Sequence, residues 1–257
     1  MSEASKDHIK SLLKAGTRLD GRKPLEFRKP FKVESGVIST AEGSAKVTLG
    51  ETEVLVGVKL ELGVPYPDLQ DQGTMIVGVE LLPLSNPEFE SGPPGIKAVE
   101  LARVVDRGIR ESKIIDFKKL CIKKGEQVWT LLIDICPLND AGNLQDVSAI
   151  AALTALKDTC FLKLEKDKVI FEEKTDKKLE IKGEPISITV IKIGDDYIVD
   201  PTIGEEKAIE ARLTVTSLKD GTLCALQKGE EDALTKEEIL KMVDIGLEKA
   251  KELRGAL

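Results

Sequence analysis

Aromatic rings, histidine and paired cysteines are all scarce in this 257-residue chain. Aromatics make up 4% of it, with one Trp and two Tyr, so a core must be assembled from Val, Ile, Leu and Ala rather than from rings. The single histidine, His8, and the widely spaced Cys121, Cys136, Cys160 and Cys224 contain no C-x-x-C pair and no Cys/His set suited to zinc. Buried thiols in a reducing compartment are the expectation. No stretch approaches the ~20 consecutive apolar residues that cross a bilayer, and the segment Met1 to Lys14 carries charges throughout. A cytoplasmic location without membrane contact is therefore expected. Net positive charge is also missing. A formal charge of -7 argues against a surface that binds nucleic acid all over, because phosphate binding depends on clustered Lys and Arg. Any such contact must be local or shared with a partner chain.

What is present is a folded-protein composition, 41% hydrophobic and 32% charged, at a length on the border between one domain and two. Two lobes are expected. A short helix over Ser5 to Ala15, ended by Gly16, leads into an extended basic arm, Arg18 to Lys32. Apolar stretches at Phe31 to Thr40, Ala45 to Leu49, Val54 to Leu62 and Thr74 to Leu82 read as strands, with Gly43 and Ser44 in a tight turn. Between them lies a loop, Gly63 to Gly73, carrying Asp68 and Asp71. A second loop ends in Gly92-Pro93-Pro94-Gly95. Val128 to Cys136 is nearly continuously apolar and predicts a central strand covered on both faces, with Trp129 in the core. A helix over Asn143 to Phe161 is apolar almost all round, as for a helix buried between layers. A charged linker, Lys163 to Lys182, then separates the lobes. Strands near Ile186 to Ile193, Tyr197 to Val199, Ala211 to Ser217 and Thr222 to Gln227 follow, and Leu240, Val243, Leu247, Ala250 and Leu253 mark a last amphipathic helix. The expected organisation is an N-terminal helix and arm over 1–30, a first domain over 31–165 and a second over 183–257, in an α+β architecture.

The helix predicted over Ile96 to Ile115 sets Ala98, Leu101, Ala102, Val105 and Ile109 on one face and Arg103, Arg107 and Arg110 on the other. Spaced i, i+4 and i+7, the three arginines span a stripe only ~60° wide. They form a basic ridge, unless Glu100, Asp106 and Glu111 pair them off as an ordinary solvated face.

Several segments together resemble the RNase PH superfamily of phosphorolytic exoribonucleases, which shorten RNA from its 3′ end with inorganic phosphate as the attacking group. They are Arg18-Leu-Asp-Gly-Arg22, Gly43-Ser-Ala-Lys-Val-Thr-Leu-Gly50 with Thr52, Asn86-Pro-Glu-Phe-Glu-Ser-Gly-Pro-Pro94, Glu100-Leu-Ala-Arg-Val-Val-Asp-Arg107, Val128-Trp129 and Asp200-Pro-Thr202. Within the superfamily the chain looks like the non-catalytic subunits of archaeal exosome rings. The resemblance implies an RNase PH-like fold, similar to the second domain of ribosomal protein S5, with two lobes whose helices pack against two mixed sheets. It also implies a ring of six in which this chain alternates with a catalytic paralogue, carries S1/KH-type RNA-binding cap subunits and meets single-stranded RNA. The segment Arg18 to Arg22 then reads as a structural clamp that fixes the arm on the ring, not as a site.

Active members cradle phosphate at a turn opening the buried helix, where backbone N–H groups and the helix dipole bind an anion. The matching turn here is Gly142-Asn143-Leu144-Gln145-Asp146. Asn143 reads as an N-cap, with Asp146 capping the same N–H groups and repelling phosphate. A plain well-capped helix is the alternative. Active members also carry two Asp six positions apart in the second lobe, for a metal ion or a departing proton. An ungapped alignment from Asp200 puts Glu206 and Arg212 there, and a guanidinium can neither bind a divalent cation nor act as a general acid. Glu205, Glu206 and Glu210 otherwise read as surface acids, and His8 as exposed. No catalytic residue, metal or cofactor is expected. The resemblance implies a structural and RNA-guiding subunit, with Arg103, Arg107 and Arg110 gripping RNA phosphates. The alternatives are an active phosphate-dependent exoribonuclease or tRNA 3′-end trimming enzyme using Glu206, and an adaptor without RNA contact.

Overall fold

The computed structural model describes residues 3–165 and 168–256. Helix α1 (Glu3–Lys14) is followed by the arm and by strands β1 (Phe31–Ser35), β2 (Gly43–Leu49), β3 (Thr52–Gly63) and β4 (Thr74–Val79). Helix α2 (Ile96–Glu111), a 3-10 turn (Phe117–Leu120), β5 (Cys121–Lys123) and β6 (Gln127–Asn139) come next. Then follow α3 (Leu144–Asp158), β7 (Cys160–Glu165), β8 (Lys168–Lys178), β9 (Ile186–Ile193) and β10 (Asp196–Val199). The last elements are α4 (Ile203–Glu206), β11 (Ala211–Ser217), β12 (Leu223–Gly229) and α5 (Lys236–Arg254). The first sheet has the order β1-β2-β3-β6-β4, with β5 also on β6. It is mixed, through the one parallel pair β4 and β6. The second, β10-β9-β11-β12, is antiparallel throughout.

Helices α2 and α3 lie between the two sheets. Against the first, α3 meets β2 and β3 and α2 meets β4; against the second, α3 meets β9 and α2 meets β12. Its all-round apolar sequence makes α3 a buried central layer: Val147, Ile150, Ala151, Ala152, Leu153, Ala155 and Leu156 are all buried. Alternation along β9 and β11 sorts the second sheet into two unlike faces. Ser187, Thr189, Thr214 and Thr216 turn toward α2 and α3: Thr189 bonds Asp146 of α3, and a Cβ on Gly108 of α2 would touch Thr216 and Ser187. The apolar residues alternating with them face α5, where Gly246 lies against Val215. The seam between the lobes is therefore lined with hydroxyls, while α5 closes an apolar layer.

Three expectations change here. The charged linker is not one: from Cys160 to Lys178 the chain forms the hairpin of β7 and β8, whose residues 166–167 lie outside the described residues. Its charges sit on exposed positions of the ribbon, while Phe161 and Leu162 at its base are buried in the core. Strand β6 is not covered on both faces. Leu131, Ile133 and Ile135 are buried against the helices, whereas Thr130, Leu132 and Cys136 are half-buried and Asp134 exposed, because both helices lie on one side. Gly43 opens β2 rather than a turn; a Cβ there would stand 2.3 Å from the Ala155 carbonyl, so glycine is what lets the strand meet the end of α3. Helix α1 packs on the second lobe, where Ile9 and Leu13 meet Ile191, Ile193, Ile198 and Ala208 of the second sheet and its flank. Trp129 is buried as expected, 5.9 Å from the Phe161 ring. The four cysteines are free and only half-buried.

Candidate functional site

Strand β6 delivers the chain to a turn, Asp140 to Asn143, that opens α3. Gly142 has φ +98° and a Cβ there would lie 2.4 Å from the Pro201 carbonyl, so no other residue fits. Asn143 is also left-handed, at φ 62° and ψ 36°. This changes its role. An N-cap side chain needs extended backbone to reach its own helix, so Asn143 caps nothing, and its Nδ2 donates instead to Asp200 Oδ1 at 3.0 Å. Two N–H groups of the turn before α3 are taken by carboxylates. Gly142 N–H donates to Asp140 Oδ1 at 2.9 Å, and Asn143 N–H to Glu206 Oε1 at 2.8 Å.

Asp146 is not one of these carboxylates. It points into the hydroxyl seam and is fully buried, with Oδ1 accepting from Thr189 N–H at 2.8 Å and from Thr189 Oγ1 at 2.7 Å. The helical turn from Asn143 rotates it inward. The acid expected to oppose an anion is present, but it is Glu206, reached across 63 residues of sequence, rather than the neighbour at i+3. Burial is the main reason that the Glu206 carboxyl is raised above its ordinary value. Two arginines nearby, Arg212 and Arg28, work against the shift.

Glu206 and Arg212 line one cleft of about 850 Å³, along with Asn143, Gln145, Glu100 and Glu230. Arg212, on β11, reaches Glu100 of α2 at 2.7 Å and Glu230 at 3.3 Å. Its charge is thus held between two carboxylates. Among the described residues, no three His, Cys, Asp or Glu side chains converge as metal ligands would.

Below the cleft the arm is strapped to the second lobe. Arg18 is buried; its Nε donates to Glu205 Oε1 at 2.9 Å, and its two Nη donate to the Val199 and Asp200 carbonyls at 2.8 and 2.9 Å. Arg22 bonds Asp20 and Asp200 at 2.7 and 3.1 Å. Arg28 bonds Asp200 Oδ1 at 2.7 Å and the carbonyls of Ala141 and Gly142 at 2.7 and 2.9 Å. The clamp expected to fix the arm on the ring closes instead on the chain's own second lobe. Glu205 is no surface acid. Burial alone would raise its carboxyl, but the Arg18 guanidinium overcomes this and holds it below the usual range. Glu210 is likewise engaged, with Lys10 at 2.7 Å and Gly194 N–H. The roles of Asp200, Glu205 and Arg28 escape sequence reasoning, since they depend on partners over 170 residues away. The signal that could have found them is the excess of arginine in the arm beside an acid-rich Asp200 to Glu210.

The basic ridge divides. Arg103 and Arg107 are exposed on α2 and, among the described residues, have no hydrogen bond or ion pair. Arg110 is committed to the fold, paired with Asp106 at 2.6 Å, bonded to the Met75 carbonyl at 2.9 Å and lying 5.6 Å from the Phe117 ring centre. Of the acids nearby, Glu100 faces Arg212, outside the ridge, while Asp106 neutralises Arg110 within it, which leaves Arg103 and Arg107 as its unpaired part. His8 is exposed, and Asp71 lies 3.7 Å from Lys118 in its loop.

Profiles of the 3′ exoribonuclease family RNase PH match residues 26–161 as its domain 1 and residues 183–249 as its domain 2. The chain is 50% identical over 253 residues to "Exosome complex component Rrp42" of Methanosarcina acetivorans, covering 97% of this chain and 92% of that protein. It is 44% identical to the protein of the same description from Methanopyrus kandleri, covering 99% and 96%. Among solved structures, a chain of the Archaeoglobus fulgidus exosome with RNA bound to the active site superposes with a TM-score of 0.90 at 42% identity, over 99% of this chain and 98% of that one. A chain of an archaeal exosome core gives 0.85 at 40% identity, covering 98% and 95%.

Proposed function

The chain belongs to the 3′ exoribonuclease family RNase PH, through both of its domains, and from that premise we propose that it is a non-catalytic, RNA-guiding subunit of an archaeal exosome ring. It serves phosphorolytic 3′-to-5′ degradation by standing beside a catalytic paralogue in an alternating ring of six, under S1/KH-type cap subunits, in the cytoplasm. The relatives' description and the likeness to exosome chains support the ring.

The observation that carries the absence of catalysis is the bond from Asn143 N–H to Glu206. Phosphorolysis needs inorganic phosphate seated on free N–H groups at a helix mouth, in line with the terminal phosphodiester. Here a carboxylate already accepts from that N–H, and Asp140 accepts from its neighbour. Phosphate brought to this turn would meet two carboxylates that are part of the fold. The second need, an acid or a metal for the departing 3′ oxygen, meets Arg212, which stays charged and is tied to Glu100 and Glu230.

The positive contribution rests on Arg103 and Arg107. Two exposed guanidinium groups without partners, one helical turn apart, are suited to bidentate contacts with successive phosphates of an incoming single strand. Such contacts hold RNA without reading its bases. The test is co-expression with the catalytic paralogue. The heteromer should release nucleoside diphosphates from RNA with inorganic phosphate and magnesium, and this chain alone should not. Phosphorolysis by the chain alone, abolished by Glu206→Gln, would instead make it an active enzyme.

A further inference from the structure

Strand β6 carries a nearly continuous apolar run, the pattern of a strand covered on both faces, yet α2 and α3 lie on one side of its sheet and leave the other side open. On that open face the register sets Asp134 of β6 between Gly57 of β3 and Gly78 of β4. No bulge interrupts either pairing at these positions. A glycine inside a strand without a bulge marks a place where another group comes close to the backbone, and here two of them flank one carboxylate. We propose, resting on the place in a ring argued above, that this open face docks the neighbouring ring subunit, which lays apolar side chains over Leu55, Leu132 and Ile76 and brings an arginine to Asp134.

Asp134 has no ion pair among the described residues. The charges that reach it are two more acids without partners, Glu80 just past β4 and Glu61 of β3; burial first, and these two with it, raise its carboxyl above the ordinary value. Lys59, opposite Leu132, is already engaged with Glu42 at 2.7 Å and the Thr40 carbonyl at 2.9 Å. The face therefore gathers negative charge that the chain itself does not neutralise, and an incoming cation complements it. A guanidinium fits best, being always charged and able to meet a carboxylate through two parallel bonds. Glycine on both flanks leaves it room, since a Cβ on Gly78 alone would stand 3.4 Å from Asp134 Oδ1. Apolar rows lie on either side of the acid: Leu55 pairs with Cys136, and Leu132 with Ile76, which is 51% exposed. Contiguous apolar surface around a charge is the pattern of a protein contact rather than of a solvated sheet face. RNA is the wrong occupant, because three unpaired acids repel phosphate and the free Arg103 and Arg107 belong to α2, on the other side of the sheet.

Sedimentation of the full chain mixed with the catalytic paralogue measures the association. Asp134→Asn should weaken it about thirtyfold or more, yet leave the chain alone at least as resistant to denaturant, because repulsion from Glu80 and Glu61 is relieved. A residue that merely supported the fold would not split the two readouts in this way. Ile76→Asp, at an exposed position, should weaken association about tenfold or more. Carbodiimide-driven labelling of the wild-type chain needs no variant: Asp134, Glu61 and Glu80 should be modified in the chain alone and spared in the heteromer. Unchanged affinity in both variants, or equal labelling in the two states, overturns this surface and leaves membership of a ring intact. A wild-type chain that forms no heteromer with the paralogue overturns both. Protection of the three carboxyls by RNA, or by a second copy of this chain without the paralogue, also overturns the proposed occupant.

Discussion

At the scale of single residues, the three arginines of α2 separate by what holds them. Arg103 and Arg107 have no partner among the described residues, so changing both to Ala should leave folding intact and weaken RNA binding by the assembled ring. The salt dependence should flatten as well, by about 0.7 in log–log slope for each phosphate of a single strand that is no longer neutralised. Filter binding across a salt series measures both effects, and an unchanged slope would remove the arginines from the RNA path. Arg110→Ala should behave the opposite way, destabilising the chain by about 1 kcal/mol through the missing Met75 and Asp106 bonds, with RNA affinity nearly unchanged. Glu205 is the most consequential acid of the strap. Glu205→Ala leaves Arg18 buried without its carboxylate and should cost about 3–5 kcal/mol in chemical denaturation. Because its folded carboxyl is held below the usual range, its stabilisation is complete above the unfolded value near 4.3 and disappears as pH falls through the lowered folded value. The gap between wild type and Glu205→Gln should therefore close in acid.

At the scale of elements, close packing and local chemistry make different demands. Gly43→Ala would drive a methyl against the Ala155 carbonyl and Thr159 Oγ1, both 2.3 Å from the new carbon. Overpacking of this kind costs about 1–3 kcal/mol, measurable as a lowered denaturation midpoint. Most elements were legible in the sequence because one local pattern decided each of them. The alternation of Ile186 to Ile193 and Ala211 to Ser217 matches β9 and β11 residue for residue, and the apolar band of α3 announces a buried layer. The hairpin of β7 and β8 was not legible. Its charges alternate with too few apolar residues to mark a buried face, so composition read as linker. The turn at Asn143 was misread for a related reason. Residue type predicts a cap, but backbone handedness decides whether the side chain can reach, and handedness here is set by Pro201, Asp200 and Glu206 from the other lobe. Thus the candidate site was located from sequence by position, while its bonding was not.

At the scale of the whole molecule, the two sheets share one helical layer. Helix α3 buries residues against β2 and β3 on one side and β9 on the other, so neither lobe has a complete core without the other. Unfolding should be a single transition by circular dichroism and by Trp129 fluorescence alike. Separate chains of residues 1–182 and 183–257 should each lack stable tertiary structure and recover it on co-expression. Resolved, separate transitions would show independent lobes. The arm adds a constraint of another kind, in time rather than space. Arg18 and Glu205 lie 187 positions apart, and Val199 and Asp200, which complete its bonds, come almost as late. A ribosome makes the strap long before its anchor. Until that anchor is made the three arm arginines are therefore exposed cations on an unfinished chain, and the knot that locks the lobes is tied only then.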